Sequence, residues 1–444
     1  MLRIKLISIF LFGFVSLSQA QDYQEDITEF TLDNGLHIVV IENHRAPIVD
    51  FMVVYDVGAI DEDPGKSGLA HFVEHLMFKG TERYGPGEYD RIIKSLGGSN
   101  NAYTSQEYTA YDIRVYQEHL DIVMELEADR MKNATFETEI SLREREVVIE
   151  ERLQRYDSNP NRLLTEQLNA SLFQNHPYRI PVIGWLHEIE NLSIDDVKDF
   201  YHRHYHPSNA TVVVGGDVNP EDVIQLADKH FGNLTNPAET QSQLQLIEPP
   251  QRSERRVKIA DPRVTTPYIF RKYLIPSDYS VIEENLAAIA IMTDLLGGRD
   301  LTSALSEQLQ LTNIATYTGA GYSGDTLRPV VVNIYVMPSE DYTLAEAEAK
   351  LDKVLTDFAN SEIDDEDLQR IKLDVKYSTI YDRDDIDSTA FKYGTGVAGG
   401  LTVEQIRSWN EKLTEVKKEE IVAAAQFLLN KDLSVTGWLL PEEK

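Results

Sequence analysis

The chain has 444 residues, with 42 basic residues against 74 acidic ones, a formal charge of -32 and no cysteine. That length fits two cores of about 200 residues each better than one, and 42% hydrophobic residues suffice for both. The acidity argues against nucleic-acid binding, and the lack of cysteine rules out a disulfide framework and lipid attachment at that residue type.

Residues 1–20 stand apart, with Arg3 and Lys5, an apolar run from Leu6 to Leu17, and then Ser18-Gln19-Ala20. This is the pattern of a secretory signal, with cutting expected after Ala20. An uncleaved anchor is the alternative, although the run is short for a bilayer span. Loss of the signal makes the mature chain still more acidic. An exported protein without disulfides is compatible with a bacterial periplasm, the expected location. Acid clusters at Asp61-Glu62-Asp63, Glu362–Asp367 and Asp382–Asp387 read as a solvated surface, or as a cleft lining that favours basic peptides.

The first half opens with a strand at His37–Val40, and Gly65-Lys66-Ser67-Gly68 then forms a loop. Beyond it, Leu69, Phe72, Val73, Leu76 and Met77 give apolar positions at helical spacing. On that helix His71 and His75, four apart, turn to one face and can share a metal ion. Glu74 borders the face, where a carboxylate can take a proton from bound water and return it to a leaving amine. An amphipathic helix with solvated histidines is the competing reading of these five residues.

Asn100–Asp112, rich in Tyr and Thr, reads as a strand whose exposed edge can pair with an extended peptide, or else as an ordinary interior strand. A second helix is expected over Glu144–Gln154. Glu144 and Glu151 are seven apart on one face of it, so one carboxylate can ligate a metal while the other supports the site. A solvated acidic face is the alternative there.

Asn236–Glu254, rich in Gln, Pro and Ser, reads as a linker. It separates residues 21–235 from residues 255–444. In the second half a helix is expected at Val281–Leu296 and a strand at Val330–Val336. Gly297-Gly298-Arg299 is no phosphate loop, because it lacks the Gly-Lys-Ser/Thr ending. Asp196–Gly216 aligns without gaps onto Glu420–Leu440, each a helix, a polar turn and an apolar strand, which points to duplication. The expected class is α+β: two homologous domains, each a largely antiparallel sheet backed by helices on one face.

His71-x-x-Glu74-His75, followed about 75 residues later by Glu151, resembles the reversed zinc motif of the M16 metallopeptidases, the insulinase, pitrilysin and mitochondrial processing peptidase group. Other segments resemble that family in the same order: Thr31–Gly35, Asn101–Ser105, His176–Gly184, Tyr205–Ala210 and, more weakly, Leu295–Gly298. The resemblance implies that His71, His75 and Glu151 hold one zinc ion per chain. It makes Glu74 the general base and Glu144 a supporting glutamate of the catalytic site. Asn101 and Ala102 match positions that hold the substrate backbone. Arg328 and Tyr335 match an arginine and a tyrosine that relatives supply to the substrate from the far half of a clamshell.

What the resemblance implies as a whole is an exported zinc endopeptidase that cleaves extended or unfolded peptides in an enclosed chamber. Relatives of this length build the chamber from two chains, so a homodimer or a heterodimer with a related chain is expected. A noncatalytic peptide-holding or assembly subunit is the alternative.

Overall fold

Apolar runs with little alternation, such as Ile48–Tyr55 and Ala210–Gly216, suit strands that are buried on both faces. The computed structural model describes residues 26–238, 248–275, 286–298, 301–323, 330–382 and 385–442, and these two runs are central strands of the first of two sheets. The signal-like residues 1–20, Arg299, Arg328 and residues 239–247 of the expected linker lie outside the described residues.

The first half runs β1 (Ile27–Thr31), β2 (His37–Glu42), β3 (Ile48–Tyr55), α1 (Leu69–Leu76), α2 (Glu88–Ser95), β4 (Ser99–Thr104) and β5 (Thr109–Tyr116). It continues with α3 (Leu120–Asn133), α4 (Thr138–Arg152), α5 (Pro160–Leu172), α6 (Leu186–Ile189), α7 (Ile194–His204), β6 (Ala210–Gly216) and α8 (Pro220–Phe231). The second half begins with β7 (Arg255–Asp261), β8 (Tyr268–Leu274), α9 (Leu286–Gly297), β9 (Ala315–Ser323) and β10 (Val331–Pro338). It ends with α10 (Leu344–Asn360), α11 (Asp365–Asp382), α12 (Ile386–Ala398), α13 (Val403–Arg407), α14 (Trp409–Glu415), α15 (Lys418–Ala425) and β11 (Ser434–Pro441). Of the expected helix at Val281–Leu296, residues 281–285 lie outside the described residues.

The sheet orders are β1-β2-β6-β3-β5-β4 and β7-β11-β8-β10-β9. Without β1 they follow one plan: the last strand of each half slots between its first two, and a later antiparallel pair forms one edge. Each sheet contains one parallel pair, β2 with β6 and β7 with β11, and is otherwise antiparallel. The expected duplication is therefore visible in the topology. Asn100–Asp112 is a hairpin rather than one strand. Ser105 Oγ accepts the N–H groups of Glu107 and Tyr108, both at 3.0 Å, and so turns the chain between β4 and β5. Only β4 is an edge.

The expectation of helices on one face needs correction. Residues such as Phe51, Val53, Ile113 and Val212 form one core with helices of the first half. On the opposite face, Val39, Met52, Val54 and Val213 pack against Ala390 and Tyr393 of α12, a helix of the second half. In exchange, Leu164, Leu168 and Leu172 of α5 bury one stripe against Leu274, Val331, Val435 and Leu439 of the second sheet. The four-residue spacing of these leucines makes the stripe. A Cβ on Gly437 would lie 3.0 Å from the methyl groups of Leu164 and Leu168, so glycine lets helix and strand approach. What is described of the linker is tied to the end of α5. Glu248 accepts the N–H groups of Asn175 and His176 at 2.9 and 2.7 Å, and Gln251 donates to Leu172 O at 3.1 Å.

Leu168 is fully buried at this exchange. Leu168→Ala is therefore expected to lower stability by about 2–5 kcal/mol in denaturant unfolding, as for a core leucine. A change of about 0.5 kcal/mol or less would place α5 among ordinary surface helices.

Candidate metal centre

Two features set where helix α1 starts. Gly68 has φ +86°, and a Cβ there would lie 2.5 Å from the carbonyl oxygen of Ile183. Glu62 then accepts the otherwise unpaired N–H groups of Gly68 and Ala70 at 3.0 and 2.9 Å, a carboxylate at a helix N-terminus. Burial raises its pKa well above the ordinary carboxylate range. Leu69, Phe72, Val73 and Leu76 are buried in the first core, which leaves His71 and His75 on the other side with ring centroids 4.7 Å apart.

Helix α4 brings its glutamates to these rings. Glu151 Oε2 lies 3.3 Å from His75 Nε2 and 3.9 Å from His71 Nε2. Glu144 Oε1 lies 2.9 Å from His75 Nδ1. The outer oxygens are occupied too: Glu144 Oε2 by Lys79 Nζ at 2.7 Å and Glu151 Oε1 by Arg155 Nη1 at 2.6 Å. Beyond α4 the chain makes a single π-helical turn, Leu153–Asp157, a form found often beside functional sites. Arg152, buried at the end of α4, ties this region down through the carbonyl of Gly184 at 3.1 Å and Glu166 at 2.6 Å.

The donor set fits zinc. His71, His75 and Glu151 each offer one ligand atom, all within 4.8 Å of one another. Ligand atoms about 2.1 Å from a tetrahedral ion stand about 3.4 Å apart, close to the 3.3 and 3.9 Å found here. Two imidazoles and one carboxylate leave a fourth position open, as hydrolytic zinc sites require.

Electrostatics divide the two histidines. Burial, helped by the neighbouring His75, brings His71 down to about 4. Burial acts downward on His75 as well, but its hydrogen bonds to Glu144 and Glu151 outweigh this and bring it up to about 9. The bond with His75 holds Glu151 below its ordinary value. Burial opposes the same effect on Glu144, but His75 and Lys79 prevail. Glu74 is 8% exposed, and burial raises its pKa against the opposing hydrogen bond from Thr104.

That bond, Thr104 Oγ1 donating to Glu74 Oε2 at 2.6 Å, joins the end of edge strand β4 to α1. Asn101 and Ala102 lie on the same strand, paired with Asp112 and Tyr111 of β5. Asn101 is exposed and Ala102 half-buried. Thus the structure gathers His71, Glu74, His75, Glu144 and Glu151, with β4 beside them. Tyr335 is not in this group. Among the described residues its ring meets Tyr268, Phe270 and Tyr317 on the second sheet, with centroids 4.6, 6.3 and 5.6 Å away. Burial raises its pKa to about 12. Sequence reasoning missed Glu62, Lys79, Thr104 and Arg155. Lys79 and Arg155 carried a usable signal, each lying four residues beyond a site residue, whereas Glu62 and Thr104 act through the tertiary fold.

Known proteins resemble this chain over most of its length. The family model described as insulinase (peptidase family M16) matches residues 37–184, and that of the peptidase M16 inactive domain matches residues 191–374. The zinc protease PqqE of Helicobacter pylori is 28% identical over 439 residues, covering 98% of each chain. A crystal structure of a protease from Helicobacter pylori superposes with a TM-score of 0.87 at 27% identity, over 94% of this chain and all of the other. The periplasmic protease PqqL of Escherichia coli shares the fold, with a TM-score of 0.78 at 19% identity over 95% of this chain but only 48% of its own. In sequence and fold, this chain is a member of the M16 peptidase family.

Proposed function

We propose that this protein is an exported zinc-dependent endopeptidase that cleaves extended peptides. The observation that carries the reading is the convergence of His71, His75 and Glu151, with Glu74 held beside them by Thr104. Zinc bound there supplies a Lewis acid for the scissile carbonyl and for water. The remaining steps belong to the chain. Glu144 accepts the Nδ1 proton of His75, which leaves the Nε2 lone pair for the metal. Glu74, made more basic by burial, takes the proton of the attacking water and delivers it to the leaving amine. The free edge of β4, with Asn101 and Ala102, pairs with the substrate backbone, a mode that favours unfolded segments.

The alternative is a noncatalytic peptide-holding subunit. Intact His71, Glu74, His75 and Glu151 favour the enzyme. Export rests on the signal-like first 20 residues, and the periplasmic relative supports it. The likeness to about half of PqqL supports a chamber built from two chains of this length, either a homodimer or a heterodimer with a related chain.

Glu151→Ala is expected to lose most of its zinc by elemental analysis, whereas Glu74→Gln keeps the metal and loses cleavage of a quenched peptide. Full activity in Glu74→Gln would remove the general base from this account.

Zinc binding also has a defined pH dependence. Without metal, His75 keeps its proton up to about 9, and ligation displaces it. Apparent zinc affinity should therefore fall by about tenfold per pH unit as pH drops from about 8 to about 5, and level off above the His75 value. Chelator competition across that range measures the slope, and a flat profile would contradict a displaced proton.

If Arg328 and Tyr335 serve the partner's site, Glu74→Gln and Arg328→Ala homodimers should each be weak. Mixing them after verified subunit exchange should restore about a quarter of wild-type activity, since half the dimers then carry one intact site. No recovery would reject action across a homodimer.

A further inference from the structure

The two site glutamates are held in the same way by residues outside the ligand set. Each turns one oxygen inward to a histidine and gives the other to a cation. Glu144 meets His75 through Oε1 at 2.9 Å and Lys79 through Oε2 at 2.7 Å. Glu151 faces both histidines through Oε2 and meets Arg155 through Oε1 at 2.6 Å. Lys79 lies just past the end of α1, where its N–H donates to Leu76 O at 2.9 Å. Arg155 sits in the π-helical turn that follows α4. Both cations thus arise four residues beyond a site residue, just past the ends of the two helices that make the centre.

We propose that Lys79 and Arg155 are positioning residues of the metal centre. Lys79 locks Glu144 as the acceptor for His75 Nδ1, and Arg155 occupies one oxygen of Glu151 so that it ligates through the other alone. The inference rests on the zinc-peptidase reading and deepens it. A carboxylate free to turn offers a metal both oxygens, and a second bond added beside the water would raise the coordination number from four to five and crowd the position that substrate needs. Glu144 has a side chain only 12% exposed, so its second oxygen has little solvent to replace the lysine. The ion pairs themselves contribute little to folding, because Lys79 and Arg155 are 30% and 74% exposed. Their effect belongs in metal binding.

The test uses the full-length mature protein with K79M, K79R and R155M. R143M serves as a control, since Arg143 makes an i,i+4 pair with Glu139 on the same helix, exposed and apart from the histidines. Zinc affinity is read by chelator competition, coordination by the visible spectrum of the cobalt(II) form, and folding by thermal unfolding. K79M should bind zinc about tenfold more weakly, and K79R should recover most of that loss. R155M should shift cobalt from intense four-coordinate absorption towards weaker five-coordinate absorption, while R143M stays as wild type. Should K79M fail to fold, K79R and R155M carry the test. Wild-type affinity in K79M together with an unchanged cobalt spectrum in R155M would overturn the proposal while leaving the zinc site standing. A wild-type protein that binds no zinc would instead overturn the site reading, and the clamps with it.

Discussion

Two imidazoles and three carboxylates are crowded between α1, α4 and the end of β4, and each of them costs free energy to desolvate unless a partner compensates. The cluster persists because every inward-facing charge is answered within a few ångströms. His75 lies between Glu144 and Glu151, Lys79 and Arg155 take their outer oxygens, and Thr104 binds Glu74. Much of the surrounding architecture holds this arrangement in place. Glu62 fixes where α1 begins, and Arg152 anchors the end of α4.

Within this cluster, one buried atom has no answer among the described residues. His71 Nδ1 has no hydrogen-bond partner, whereas His75 Nδ1 has Glu144. The two imidazoles are therefore unequal. His75 is oriented by its surroundings, and His71 is oriented mainly by packing along α1. An imidazole oriented only by packing has less to hold its tautomer.

Residue spacing made the candidate metal site legible in the sequence, since His71 and His75 must share a face once they are helical, as must Glu144 and Glu151. The glutamate roles needed the resemblance to be told apart, because seven residues along a helix look alike in either direction. Strand His37–Val40 and the repeated helix-turn-strand unit were legible from apolar patterning, whereas the turn at Ser105 that splits Asn100–Asp112 into β4 and β5 was not. What patterning left out is long-range. No local signal says that Thr104 reaches Glu74, or that the bare face of β3 and β6 is covered by α12, about 340 residues beyond β3 and about 180 beyond β6. Continuous apolar runs did hint that both faces were covered, but runs of that kind do not name the covering element.

The exchange of α5 and α12 has a consequence for the history of the duplication. No histidine occurs after His230, so the second half has no means of repeating the imidazole pair of the first. Yet it cannot be discarded, because α12 shields the Val39, Met52 and Val213 face of the first sheet, while α5 finds its own apolar seat only on the second sheet. Packing alone thus gives selection a reason to preserve the second copy, which keeps water off the sheet of the first.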